Sequence, residues 1–282
     1  MKKDFRLTNK KQKRLEELAA YIRRDLIETL VEAGSGHTAG SLGLVEIFTA
    51  LYFHVLVHDP KHPEWKRRDR LILSNGHCCP VRYVAMAHAG YFPKKYLMTL
   101  RKFGSFLQGH PEVTRLPSLE TTSGPLGSGS SQAAGMAYAA KMDKANWRVY
   151  CIISDGELGC GQTWEAFLFA GKNQLSNCTF ILDRNHIQID GFTEDIMPLE
   201  PLEEKFKAFN LHVINCLGNN IGDVIQAINK AKDIEDKPTV IIANTIPGCG
   251  IDFMENDFLW HGKVPRPGKE AKKAIQATQI SF

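Results

Sequence analysis

The chain has 282 residues, 43% hydrophobic and 23% charged, with a formal net charge of +4. This length and balance suit one α/β unit or at most two domains around a large core. Seven of the first fourteen residues are Lys or Arg and hold much of the positive excess, so nucleic-acid binding is disfavoured. No predominantly apolar stretch of about 18 residues is present to cross a membrane, since the uncharged run at 121–140 is rich in Gly and Ser, and no apolar segment follows the basic start as in a secretion signal.

Residues 1–14 read as a solvated basic arm and 15–282 as one domain. Apolar positions at helical spacing (Leu15, Leu18, Ala19, Ile22, Leu26, Leu30) predict a helix over 10–33 that stops at Gly34. A second helix is expected over 42–57. After the turn-rich "DPKHPEWKRRD" comes a short strand "RLILS", then a helix over 79–89. A glycine-rich loop "TTSGPLGSGS" leads into the small-residue helix "SQAAGMAYAAKM". Strands follow at 148–154, 178–183, 212–217 and 239–244, separated by helix-length segments. Apolar strands alternating with helices predict an α/β fold, a mostly parallel sheet with helices on both faces.

Seven cysteines, at 78, 79, 151, 160, 178, 216 and 249, form an odd set without C-x-x-C spacing. Reduced thiols in a cytoplasmic protein fit this better than a disulfide frame. The histidines show no paired ligand spacing for zinc either.

The stretch "SDGELGCG" at 154–161 carries the chemistry. Asp155 directly follows one apolar run, and Asn185 ends the next, thirty positions on. If the two runs are parallel strands joined by a crossover helix, both residues emerge on one edge of the sheet. That edge is where open α/β sheets bind ligands, and a helix amino-terminus there favours phosphate. A carboxylate and an amide oxygen are hard ligands for magnesium, which takes its remaining ligands from diphosphate and water. Asp-Gly is also ordinary turn chemistry, and a magnesium-dependent phosphohydrolase acting through Asp155 fits the same residues.

Asp155-Gly156, the crossover and Asn185 resemble the thiamine diphosphate motif. Five further stretches, "SGHTAGSLG" at 35–43, "LSNGHCCP" at 73–80, "LQGHPE" at 107–112, "TTSGPLGSGSSQAAGMA" at 121–137 and "FMENDFLWHGKVP" at 253–265, are similar in wording and order to transketolases. The resemblance is closest to the N-terminal subunit of the two-chain form and runs from about residue 12 to the end.

The resemblance implies a diphosphate-binding domain for thiamine diphosphate and Mg2+. Asp155, Asn185 and the carbonyl of Ile187 would hold the metal, and Gly156 would lie against the diphosphate. Gly124 and Leu126 would line the thiazolium and aminopyrimidine region. His37, His77, His110 and His261 would surround the reactive carbon and the sugar hydroxyls, where ketose cleavage needs proton transfer and alkoxide stabilisation. His77 and His261 count among the cofactor-binding residues too. Glu157 is a candidate cofactor contact or a first-turn helix acid favoured by the dipole.

The expected activity is transfer of a two-carbon ketol unit between sugar phosphates, with a separate pyrimidine-domain subunit supplying its own Glu, in a two-plus-two (α2β2) assembly. Rival readings are a relative acting on a modified sugar or making deoxyxylulose phosphate, and a binding homologue without turnover. Four departures from the family pattern stand out. Ser154 replaces a Gly, Thr38 replaces a Pro, and Cys160 stands where a Glu links the two active sites across the dimer. "TIPGCGIDF" at 245–253 replaces a lysine-bearing segment.

Overall fold

The computed structural model describes residues 7–278. Helix α1 (Asn9–Ala33) opens at Thr8, whose hydroxyl accepts from the Lys11 N–H at 3.3 Å, and closes at Gly34. Residues 9–14 of the expected basic arm are therefore helical, and residues 1–6 lie outside the described residues. His37 caps α2 (Thr38–Gly43), and α3 (Val45–Ala50) follows after Leu44, with Leu51–Val55 ending in a π turn. The single helix expected over 42–57 is thus two short helices and a wider turn, beginning four residues earlier. The small residues of "TAGSLG" give no periodic signal, and Ser41 steadies the first turn by donating to the His37 carbonyl at 2.7 Å.

The chain continues through β1 (Arg70–Leu73), α4 (Cys79–Ala89), α5 (Ser128–Met142), β2 (Val149–Ser154), α6 (Gly161–Lys172) and β3 (Cys178–Arg184). A small antiparallel hairpin, β4 (Ile187–Gln188) with β5 (Gly191–Phe192), and two short helices, α7 (Thr193–Ile196) and α8 (Leu202–Ala208), come next. Then follow β6 (His212–Leu217), α9 (Ile221–Lys232), β7 (Thr239–Asn244) and α10 (Lys269–Ala277). The main sheet has the order β1-β2-β3-β7-β6 and every pairing in it is parallel.

Alternation along the strands explains why the sheet is buried on both faces. Tyr150 and Ile152 of β2 enter a core with α1, α3, α4 and α9, while Val149, Cys151 and Ile153 enter a second core with α5, α6 and α8. Strands buried this way read as continuous apolar runs, which is why their boundaries were legible. No helix among the described residues is long and apolar enough to cross a membrane, and all seven cysteines are free thiols.

Register then positions the chemistry. Ser154 is level with Asp183, and Arg184 with Asn244, so the carboxyl ends of β2, β3 and β7 open side by side. Asp155 and Asn185 leave the sheet at that edge, as the crossover argument requires.

Candidate functional site

A cavity of about 260 Å3 lies over this edge, lined by His37, His77, His110 and His261 on one side and by Gly156, Asn185 and Ile187 on the other. Gly124 and Leu126 complete the wall. Its volume falls below the range of enclosed ligand pockets, roughly 300–1,000 Å3, as expected of one wall of a larger site. Larger surface clefts, such as the one of about 660 Å3 beside Trp147, lie away from these residues and gather no comparable set of groups.

Four separate loops deliver the histidines. His37 stands at the amino end of α2, His77 in the turn after β1, His110 in the long loop after α4, and His261 after a short 3-10 turn. The rings of His37 and His77 are 4.9 Å apart between centroids, those of His77 and His261 5.1 Å, and those of His37 and His261 5.5 Å. His110 stands further out, 6.5 Å from His37.

Two local features hold the cluster. A side chain at Gly76 would overlap the Ser123 hydroxyl, so only glycine lets the Gly124 loop close over His77. Thr38 donates to the Lys263 carbonyl at 2.6 Å, tying the helix that starts at His37 to the loop that carries His261. The Thr found in place of Pro thus forms a tether that Pro cannot.

Burial is the largest cause of the depressed basicity of all four rings. It drives His37 down to about 4, with the neighbouring His261, His110 and Arg101 adding to the effect. His77 is held well below the usual range, and His110 and His261 below it. All four are therefore neutral near pH 7, able to accept a proton from a hydroxyl. His37 Nδ1 is buried without a hydrogen-bond partner among the described residues. A buried ring nitrogen left without a partner, on a residue that lines the cavity, is a group that a bound ligand could satisfy.

The opposite wall is wired internally. Asp155 is fully buried, and its Oδ2 accepts from the His186 N–H at 2.8 Å and from Arg184 at 3.1 Å, while Oδ1 accepts only from the Gly156 N–H at 3.1 Å. Burial nonetheless pushes its carboxyl up to about 6. Asn185 donates to Asp183 at 2.9 Å, which fixes the orientation of its amide, and its Oδ1 accepts one bond from the Ile187 N–H at 3.0 Å. Asp183 in turn accepts from the Thr245 hydroxyl.

Asp155 Oδ1 and Asn185 Oδ1 each accept a single hydrogen bond and so retain lone-pair capacity. No group of three or more His, Cys, Asp and Glu that could hold a metal occurs among the described residues. A cation here would rest on carboxylate, amide and carbonyl oxygens together with the ligand's own oxygens, which is the donor set magnesium prefers. The residues fit a magnesium-diphosphate group.

Arg184 was not singled out in the sequence. Its buried guanidinium joins Asp155, Thr193, Glu194 and Glu200, so it braces the acid from behind and ties down the segment after the hairpin.

Glu157 does not line the cavity, contrary to the expectation of a cofactor contact. It is fully buried, with Oε1 accepting from the Ser74 hydroxyl and from the Gly127 N–H at 2.6 Å, and Oε2 from the Ser154 N–H at 2.9 Å. Its carboxylate joins the ends of β1 and β2 to the glycine-rich loop. Ser154, in extended backbone at φ −103°, completes a capping box with it, so a Ser is accommodated where the motif has Gly. Cys160 caps α6 outside the cavity, its thiol pushed up by partial burial.

Gly40, Ser154, Gln188 and Ile189 also line the cavity. The last two sit on and just after a two-residue strand, too short for any periodic signal to reveal. On the outer face of α5 and α6, Tyr138, Met142, Leu168 and Phe169 are exposed together, Tyr138 packing edge-on to Phe169 at 5.5 Å.

Residues 15–277 match the family described as "Transketolase, thiamine diphosphate binding domain". The chain is 43% identical to the 6-deoxy-6-sulfo-D-fructose transketolase subunit SqwG of Clostridium sp. (strain MSTE9), over 88% of this chain and 90% of that one. It is 41% identical to an apulose-4-phosphate transketolase subunit of Actinobacillus succinogenes, over 93% and 95%. Among solved structures it resembles the transketolase of Campylobacter jejuni, with TM-score 0.87 and 33% identity, over 94% of this chain and 42% of that one. Against such single-chain transketolases, the chain spans about two fifths of their length.

Proposed function

The chain belongs to the transketolase thiamine diphosphate-binding domain family, and from that premise we propose that it is the diphosphate-side subunit of a two-chain, magnesium-dependent transketolase. The observation that carries the proposal is the convergence of four neutral histidines, Gly156 and Asn185 on one cavity at the carboxyl edge of the sheet, with Asp155 buried just beneath its lining. Near-complete coverage of proteins named as transketolase subunits supports a division of the enzyme into two chains. The exposed Tyr138, Met142, Leu168 and Phe169 supply an apolar face for assembly.

Asp155, Asn185 and the Ile187 carbonyl would hold Mg2+, and Gly156, which lines the cavity, would take the diphosphate. The cofactor, when bound, supplies an electron sink beside the ketose carbonyl. The chain's own residues then do the remainder. His37 and His261 orient the sugar hydroxyls, and the unpartnered Nδ1 of His37 takes the proton released as the carbon-carbon bond breaks. His77 and His110 donate to the carbonyl oxygen as it gains charge. Gly124 and Leu126 cover the cavity and keep water out.

The match of residues 15–277 to the transketolase thiamine diphosphate-binding domain disfavours a phosphohydrolase acting through Asp155. The substrate class is a ketose donor and an aldose acceptor bearing phosphate. A modified-sugar donor is the second reading, supported by the names of the relatives matched along nearly their whole length. A coupled assay of this chain reconstituted with a pyrimidine-domain subunit, run over ketose phosphates and sulfonated ketoses, is expected to show magnesium-dependent ketol transfer from at least one donor. A reconstituted pair that binds thiamine diphosphate but transfers from none would overturn the proposal.

A further inference from the structure

No Lys or Arg lines the cavity, but Arg101 packs against Gly109, beside the lining residue His110. Arg101 begins a tight loop, its backbone in the left-handed region at φ 61° and its N–H donating to the Leu107 carbonyl at 2.9 Å. The loop turns the side chain back against Gly109. A Cβ on Gly109 would lie 3.0 Å from the Arg101 guanidinium carbon and 3.1 Å from one of its terminal nitrogens, so glycine there leaves the room the guanidinium occupies. The next residue is His110.

The charge is felt across the site, since Arg101 helps to lower the basicity of both His110 and His37. Among the described residues its guanidinium forms no hydrogen bond and no ion pair, whereas Arg68, Arg82 and Arg184 all hold carboxylates. An exposed, unsatisfied guanidinium beside a histidine-lined cavity is suited to an oxyanion, which its planar fork engages through two parallel hydrogen bonds.

Resting on the ketol-transfer reading, we infer that Arg101 is a specificity-determining residue of this subunit, binding the anionic substituent of the sugar, a phosphate or a sulfonate, beside His110. The test uses the assembled pair with Arg101→Gln and Arg101→Lys. In Arg101→Gln, KM for a phosphorylated or sulfonated ketose should rise about tenfold or more, with the loss falling on KM rather than kcat. The preference for charged donors over the neutral donor erythrulose should fall by about the same factor, and Arg101→Lys should recover much of it. Parallel assays with phosphorylated and sulfonated donors show which oxyanion the site favours.

Equal losses on charged and neutral donors would overturn the inference and make Arg101 a spacer for His110. Inhibition constants or titrations with inorganic phosphate and sulfate read the same contact without turnover. Anion binding that depends on Arg101 in a pair incapable of ketol transfer would sink the functional reading while sustaining this one.

Discussion

The two walls of the cavity are built on opposite principles. On the wall that carries Asp155, the buried carboxylates are satisfied within the protein: Asp155 by two backbone amides and Arg184, Glu157 by Ser74, Gly127 and Ser154, and Asp183 by Asn185 and Thr245. On the histidine wall, the other three rings crowd within 6.5 Å of His37, and His37 Nδ1 is left without a partner among the described residues. Buried polar groups that serve the fold are normally paired, because each unpaired one costs about 1–3 kcal/mol. The wired wall is thus held by its own hydrogen bonds, and the open wall keeps an unsatisfied ring nitrogen.

Substitutions separate the walls, and the largest expected effect lies on the wired one. Asn185→Ala should weaken magnesium-dependent thiamine diphosphate binding by the assembled pair about a hundredfold or more, read by calorimetry, with the fold intact. Asp155→Asn is the better companion than Asp155→Ala, because it keeps an oxygen to accept from the Arg184 guanidinium and the His186 N–H. Unchanged cofactor affinity in both would remove the metal assignment.

His37→Ala and His110→Ala should spare cofactor binding and lower kcat/KM by about 10². Near-normal turnover in both would make the open wall a structural cluster like any other.

Glu157→Gln should act on the cradle through stability. A Gln amide must turn its NH2 group toward either the Gly127 N–H or the Ser154 N–H, which donate to different oxygens of the carboxylate, costing about 1–3 kcal/mol, with a fall of a few degrees in Tm in the isolated chain. A Tm equal to wild type would mean that the three loops hold without this carboxylate.

The smallest effect is in pH dependence. His37 binds its proton in the unfolded chain near 6.5 but in the folded chain only near 4. The unfolded state therefore takes up more protons between those values, and the stability contributed by His37 is present above 6.5 and lost as pH falls toward 4. His77 shifts in the same direction. His37→Asn should flatten the fall in Tm across that window, and an unaltered profile would show that the ring is not buried as described.

Much of this architecture was legible in the sequence. Strands buried on both faces announce themselves as apolar runs, so β7 ran from 239 to 244 as expected, and the half-exposed edge strand β6 also kept its expected bounds, 212 to 217. The four histidines, Gly124, Leu126, Gly156, Asn185 and Ile187 do gather at one cavity. What was hidden was second-order. A carboxylate such as Glu157 looks alike in sequence whether it faces a ligand or a ring of backbone amides, and only its partners decide. Gln188 lies on a strand of two residues, and the roles of Arg184 and Arg101 depend on loops whose path no periodicity records. The helix expected over 42–57 is instead α2, α3 and a π turn, because the small residues of 38–43 form a helical turn without apolar spacing to announce it.

The central claim is that this chain carries one half of a site. Purified chain supplied with magnesium, thiamine diphosphate, xylulose 5-phosphate and ribose 5-phosphate should transfer no ketol unit, and adding a pyrimidine-domain subunit should start transfer in proportion to the pair formed, from these sugars or from the donor the panel identifies. Robust transfer by the 282-residue chain alone would contradict the account, since it would require a carboxylate to activate the cofactor from within a cavity whose lining contains none.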